Sequence, residues 1–170
     1  MLTVIGGLPA TGKTTVSTAL ARATRASYLR VDTVEATIVR HSELTHPLGV
    51  VGYAVAHSLA LEQLRLGLDV VVECVNALAV IRDGWVDTAK EAGAGLLEVE
   101  LVCSDVPAHR RRIATREVDI PDLPLPSWAE VQARAYEPWD RDHLVLDTAV
   151  VSVDAAVTTI QRAQTAHSGR

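Results

Sequence analysis

The chain has 170 residues, enough for one domain with a sizeable buried core. Apolar side chains make up 48% and charged ones 22%, which excludes a disordered chain, a collagen-like fibre and a disulfide scaffold. The net charge of −5 opposes a polyanionic partner, so long nucleic acid would need a local basic patch.

Aromatic residues are 4% of the chain and Phe is absent, so Ala, Val and Leu must fill most of the core. The apolar run 2–5 reads as a first strand and ends in Gly6-Gly7. From Thr14 the period changes: Val16, Ala19, Leu20 and Ala23 recur at helical spacing. Residues 27–31 read as a second strand that ends at Asp32, followed by a helix through Arg40. Pro47, Gly49 and Gly52 mark 44–52 as a loop, and 53–66 as a helix stopped by Gly67. Val70-Val71-Val72 leads to Glu73 and Cys74 as a central strand buried on both faces.

A helix over 77–92 and a strand over 96–103 follow. Ser104 and Asp105 can cap a helix with Pro107 in its first turn, running to about Glu117. Residues 121–126 are a Pro-rich loop, and Ser127-Trp128-Ala129-Glu130 reads as a capping box opening another helix. A last strand over 144–146 and a closing helix over 153–166 complete the chain, with 167–170 expected to fray. Strands alternate with helices throughout, which predicts one α/β domain over 1–170 with a parallel, doubly wound sheet.

No apolar run reaches the roughly 18 residues of a membrane span, and the first residues lack a basic start. Cys74 and Cys103 sit inside apolar runs, as buried thiols of a reducing compartment do. A cytoplasmic protein with no membrane partner is the expectation.

Gly7-Leu8-Pro9-Ala10-Thr11-Gly12-Lys13-Thr14 fits G-x-x-x-x-G-K-S/T at every fixed position, with a strand before it and a helix after. Glycines let successive N–H groups turn inward around a phosphate, and the helix N-terminus adds partial positive charge. Lys13 would bridge the outer phosphates, the Thr14 hydroxyl would reach Mg2+, and Thr15 continues the cradle. ATP with Mg2+ is therefore the expected cofactor pair. The chain lacks an N-K-x-D guanine motif and is too short for a motor or transporter.

These features resemble the small P-loop kinases that include chloramphenicol phosphotransferase, zeta-toxin-type kinases, gluconate kinase and the kinase domain of phage polynucleotide kinase. The resemblance implies a five-stranded P-loop NTPase sheet of order 2-3-1-4-5 and a small lid, about 117–126. It implies transfer of the γ-phosphoryl group of ATP to a hydroxyl of a small molecule, an antibiotic or secondary metabolite being slightly favoured. A nucleoside, a nucleotide sugar or a polynucleotide 5′-hydroxyl is the alternative acceptor, and a non-catalytic nucleotide-binding module the alternative role.

By that resemblance Asp32, at the end of the second strand, is the general base toward the acceptor. Asp32 and Glu35 also have the spacing of a capping box, which would make Asp32 a helix cap. Glu73 stands where a Walker B acid would stand, near the magnesium, or binds substrate; a structural hydrogen bond is its other reading. Asn76, at the carboxyl edge of the sheet, is a candidate substrate contact or a turn residue.

His109, Arg112 and Arg116 recur at i, i+3 and i+7 on one helix face, and Arg111 is left to the surface. The resemblance places Arg112 on adenine and Arg116 on the phosphates. Residues 117–122 are acidic where related lids carry arginines, which makes Arg134, on the next helix, the spare phosphate ligand. Trp139 lines the acceptor side or packs. Arg40, Tyr53 and His57 are the polar candidates for the acceptor pocket, the last two sharing a helix face. The six histidines show no paired metal-ligand spacing. Oligomeric state is not legible.

Overall fold

The computed structural model describes residues 1–121 and 123–168. Asp122 of the expected lid, and Gly169 and Arg170 of the expected tail, lie outside the described residues. The chain runs β1 (Leu2–Gly6), α1 (Lys13–Thr24), β2 (Ser27–Arg30), α2 (Val31–Arg40), α3 (Val51–Arg65) and β3 (Val70–Glu73). It continues through α4 (Ala79–Ala92), β4 (Leu96–Val102), α5 (Val106–Ala114), α6 (Trp128–Ala133), β5 (Leu144–Asp147) and α7 (Val153–Ser168). The five strands form one parallel sheet in the order β2-β3-β1-β4-β5. The predicted fold class and strand order are both observed.

Period-two alternation sorts the strand side chains into two cores. Leu2, Val4, Val70 and Val72 face α3 and α4, where Ala56, Ala60, Leu64, Trp85 and Ala89 meet them. Ile5, Val71, Val99 and Leu101 face α1 and α7, against Val16, Leu20, Ala156 and Ile160. Small Ala side chains on α3 let that helix lie close to the sheet. Trp85, fully buried, supplies bulk that a Phe-free chain must find elsewhere. All of β1 and β3 is buried, as strands covered on both faces must be.

Several boundaries differ from expectation, each for a local reason. β2 stops at Arg30 and α2 begins at Val31, so Asp32 sits in the first turn of a helix. The N-cap of α2 is Arg30, with no side-chain cap, so the Asp32–Glu35 capping box does not form. α5 ends at Ala114, three residues early, because the chain must turn away to bring Asp119 against Arg30. α6 has the expected capping box but ends at Ala133, leaving Arg134 as its C-cap and 136–139 outside any helix. α7 extends through Ser168, past the point where fraying was expected.

Two buried contacts hold the irregular segments around the sheet edge. Arg82 of α4, completely buried, donates to the carbonyls of Asn76 (3.3 Å), Ala77 (3.3 Å), Glu137 (3.4 Å) and Pro138 (3.0 Å). Its guanidinium lies 4.7 Å from the centre of the Trp139 ring. The Glu137 carboxylate in turn accepts from the Ala79 amide at 2.6 Å, satisfying the start of α4.

The second contact joins α2 to α3. A Cβ at Gly52 would collide with Glu35 Cγ, so only glycine lets Glu35 cross the first turn of α3. Burial, then the nearby Asp32 charge, pushes the Glu35 carboxyl up to about 7 from an ordinary 4.5, against the pull of Arg134.

Arg82→Ala strips the donors from these carbonyls in a buried place, and should cost about 3 kcal/mol of stability in urea unfolding. Glu35 gives a pH signature. Its folded pKa is raised, so its contribution is fully present below about 4.5 and lost as pH rises through about 7. Glu35→Gln should match the parent's melting temperature near pH 5 and exceed it by a few degrees at pH 8, by calorimetry.

Candidate functional site

β1 is the central strand, and its carboxyl end opens into the 7–12 loop at the crevice where open α/β sheets bind ligands. Gly7 has φ of 137°, and a Cβ there would strike the Leu101 carbonyl. The loop is braced from outside. Gly7 N–H donates to Val75 O (3.1 Å), Thr11 Oγ1 to Leu8 O (2.9 Å) and Thr148 Oγ1 to Thr11 O (2.8 Å). Buried His109 meets the Pro9 carbonyl through Nε2 at 2.7 Å. Gly7, Leu8 and Thr11 build the loop, while Pro9, Ala10, Gly12, Lys13, Thr14 and Thr15 line a cavity of about 1220 Å³.

Lys13 is buried and donates to Leu8 O at 2.8 Å, which holds one of its three protons against the loop. Burial lowers its pKa, and the charges of Glu73 and Asp32 oppose that shift. Thr14 Oγ1 donates to Glu73 Oε1 at 2.6 Å, and the Tyr28 hydroxyl donates to Glu73 Oε2. Arg30 Nε stands 3.7 Å from Oε1. Thr14 and Glu73 thus present hard oxygens side by side beneath a phosphate loop. Magnesium takes this kind of donor set, one or two protein oxygens completed by phosphate oxygens and water. Among the described residues no group of three or more His, Cys, Asp or Glu side chains could hold a metal by itself.

The arginines divide. Arg112 donates to Thr148 Oγ1 (2.8 Å) and Thr148 O (3.0 Å), fixing its guanidinium at the cavity wall beside the start of α7. Arg116 does not share a helix face with it, because α5 has already ended. It lines the cavity from the segment beyond, 3.8 Å from Asp119. Asp119 is bound by Arg30, whose hydrogen bond holds its carboxyl below the ordinary range. Arg134 also lines the cavity, near enough for its charge to act on Glu35, and is exposed.

Asp32, half-buried, and Tyr53 line the same cavity. Burial pushes the Tyr53 phenol well up. Four other candidates lie outside the cavity lining, Asn76 and Trp139 in the turn and packing roles that are their alternative readings. Arg40 lies on a separate groove of about 360 Å³ and donates to Pro121 O at 2.6 Å. His57 turns toward α4: its ring lies 3.8 Å from that of Trp85, bonds Thr88 Oγ1 at 2.9 Å and packs over Gly84. Asn76 is completely buried with φ of 57°, a turn residue that does not line the cavity. Trp139 packs between Arg82 and His143 and is not part of the cavity lining.

Four residues join the site that sequence reasoning did not place there. Glu35 and His46 line the cavity beside Asp32. Thr148 and His109 brace the loop. Glu35 had a legible signal, the i, i+3 spacing from Asp32. Thr148 had none, since its position depends on β5 lying next to β4.

No curated protein matches the sequence. Among solved structures, a protein of Chloroflexus aurantiacus described as a kinase by inference aligns with a TM-score of 0.76 at 20% identity, over 98% of this chain and 96% of that one. A gluconokinase from Sinorhizobium meliloti aligns at 0.63 and 18%, over 95% and 91%. The APS kinase of Mycobacterium tuberculosis, in complex with AMPPNP and APS, aligns at 0.65 and 17%, over 96% of each. At these identities the likeness carries the fold, that of a P-loop NTPase. The model of the AAA domain family matches residues 2–138, which include the loop, Asp32, Glu73 and all three cavity arginines, and the chain belongs to that family.

Proposed function

We propose that this chain is an ATP-dependent kinase that transfers the γ-phosphoryl group to a hydroxyl of a small molecule. The observation that carries the reading is one cavity lined both by the loop with Lys13 and Thr14 and by Asp32. A nucleotide-binding module needs the first group only.

In this reading the loop amides and Lys13 bind the β- and γ-phosphates, and Arg112 sets the adenine side of the site. Thr14 and Glu73 would hold magnesium, which when bound neutralises phosphate charge. Asp32 accepts the proton of the acceptor hydroxyl as its oxygen bonds to the γ-phosphorus. The bond from that phosphorus to the β,γ-bridging oxygen breaks, and ADP leaves. Arg116 and Lys13 stabilise the charge that builds on the transferring group. Arg134 and Tyr53 contact the acceptor.

Leu48, Leu78 and Ile81 in the acceptor half support an acceptor with an apolar scaffold, as an antibiotic or other secondary metabolite has. The net charge of −5 weighs against a polynucleotide. No helix among the described residues is long and apolar enough to cross a membrane. The buried free thiols of Cys74 and Cys103 fit a cytoplasmic location.

Asp32→Asn should lower turnover by about a hundred- to ten-thousandfold while ATP affinity stays within about threefold. Mass spectrometry of acceptors incubated with MgATP, together with calorimetric ATP titration, reads both quantities. Unchanged turnover would remove Asp32 from the chemistry. Glu73→Gln should raise the magnesium concentration for half-maximal activity about tenfold or more, seen in a magnesium titration at fixed ATP.

A further inference from the structure

The acceptor half of the cavity has a charge pattern that bears on what it takes. Among the cavity's polar lining are Asp32, Glu35, His46, Tyr53 and Arg134, and the charges of Asp32 and Arg134 act on Glu35. Around these groups the wall is apolar, with Leu48, Leu78 and Ile81. Arg134 is the cation among them and it is exposed, at the end of α6. The two carboxylates are half-buried and fixed on one helix. The site is this cavity, and the question is which charge it complements.

Glu35 is held there by construction. It lies one helical turn after Asp32, so the two Cβ atoms are about 5–6 Å apart on one face of α2. Gly52 clears its path, since any larger residue would meet Glu35 Cγ. Such an arrangement puts a carboxylate where apolar surroundings penalise it, and its raised pKa reflects that burial. None of the ion pairs among the described residues takes up this carboxylate. His46 Nε2, in the same lining, is likewise buried without a hydrogen-bond partner among the described residues.

We infer that the acceptor is a hydroxylated amine whose ammonium group is bound by Glu35 while its hydroxyl faces Asp32. The inference rests on the kinase reading above and names its substrate class. The spacing of the carboxylates requires the ammonium and the reacting hydroxyl to be a few bonds apart, as in an amino alcohol or amino sugar. The apolar wall takes the remaining scaffold, and His46 Nε2 is left for a second polar group. An acceptor bearing a carboxylate or sulfate in this half would face two like charges and one exposed arginine. A charge-assisted hydrogen bond to a partly desolvated carboxylate commonly changes affinity by ten- to a hundredfold, in order of magnitude.

The test is a phosphoryl-transfer screen with MgATP on three size-matched panels of hydroxylated amines, neutral alcohols and hydroxy acids. Glucosamine, glucose and glucuronate form one matched set; phenylalaninol, phenylpropanol and phenyllactate form another. The expected result is a preference of about tenfold or more in kcat/KM for amines over their neutral counterparts. Glu35→Gln should remove most of that preference, through KM for the amine. A purely structural Glu35 would lower amine and neutral acceptors equally, and that result overturns the assignment. A best acceptor among the acids or neutral alcohols overturns it too, and leaves the kinase reading standing. Transfer to no member of any panel, with ATP bound, overturns both.

Discussion

The Glu73 carboxylate is the constraint around which the site is organised. It lies at the carboxyl end of β3, buried, where a lone charge would be costly. Thr14 comes to it from α1, and Tyr28 and Arg30 come from β2. Arg30 then has charge left for Asp119, which draws in the segment after α5 and with it Arg116. One buried anion on a middle strand thereby fixes the phosphate-loop helix, the neighbouring strand and the overhanging segment relative to each other. The hydrogen bond to Glu73 fixes the direction of the Thr14 hydroxyl at the start of α1.

The loop itself is held from behind as well. His109 and Thr148 occupy the carbonyls of Pro9 and Thr11, and Gly7 binds Val75 across the strand end. These bonds fix the path of the loop before any ligand arrives. Preorganisation of this kind is what makes a row of backbone dipoles an anion site.

What could be read from the sequence follows from how local each signal is. The loop motif, the capping box at Ser127 and the valine run before Glu73 are contiguous, and the structure has them where periodicity and spacing put them. Residues whose role depends on a neighbour far along the chain were read less well. Tyr53 and His57 are four apart on one helix, yet Tyr53 reaches the cavity while His57 lies a turn further on, over Gly84 and against Trp85. Arg116 was placed on a helix face that does not exist, because the pull of Arg30 on Asp119 is invisible to helical spacing. Asp32 and Glu35 have the pattern of a cap, but the first turn of α2 follows directly from a strand and has Arg30 at the capping position. Their carboxylates are thus left for the cavity.

The cavity lining is divided between two parts of the fold. The loop follows β1 and is tied to β4 and the end of β5 through the Leu101 carbonyl and Thr148, so changes there press on the sheet. Asp32, Glu35 and Tyr53 stand on α2 and α3, a helical pair that meets at Gly52 and Glu35. Substitutions at Asp32, Glu35 or Tyr53 therefore reshape the cavity lining from helices alone, with no strand residue changed.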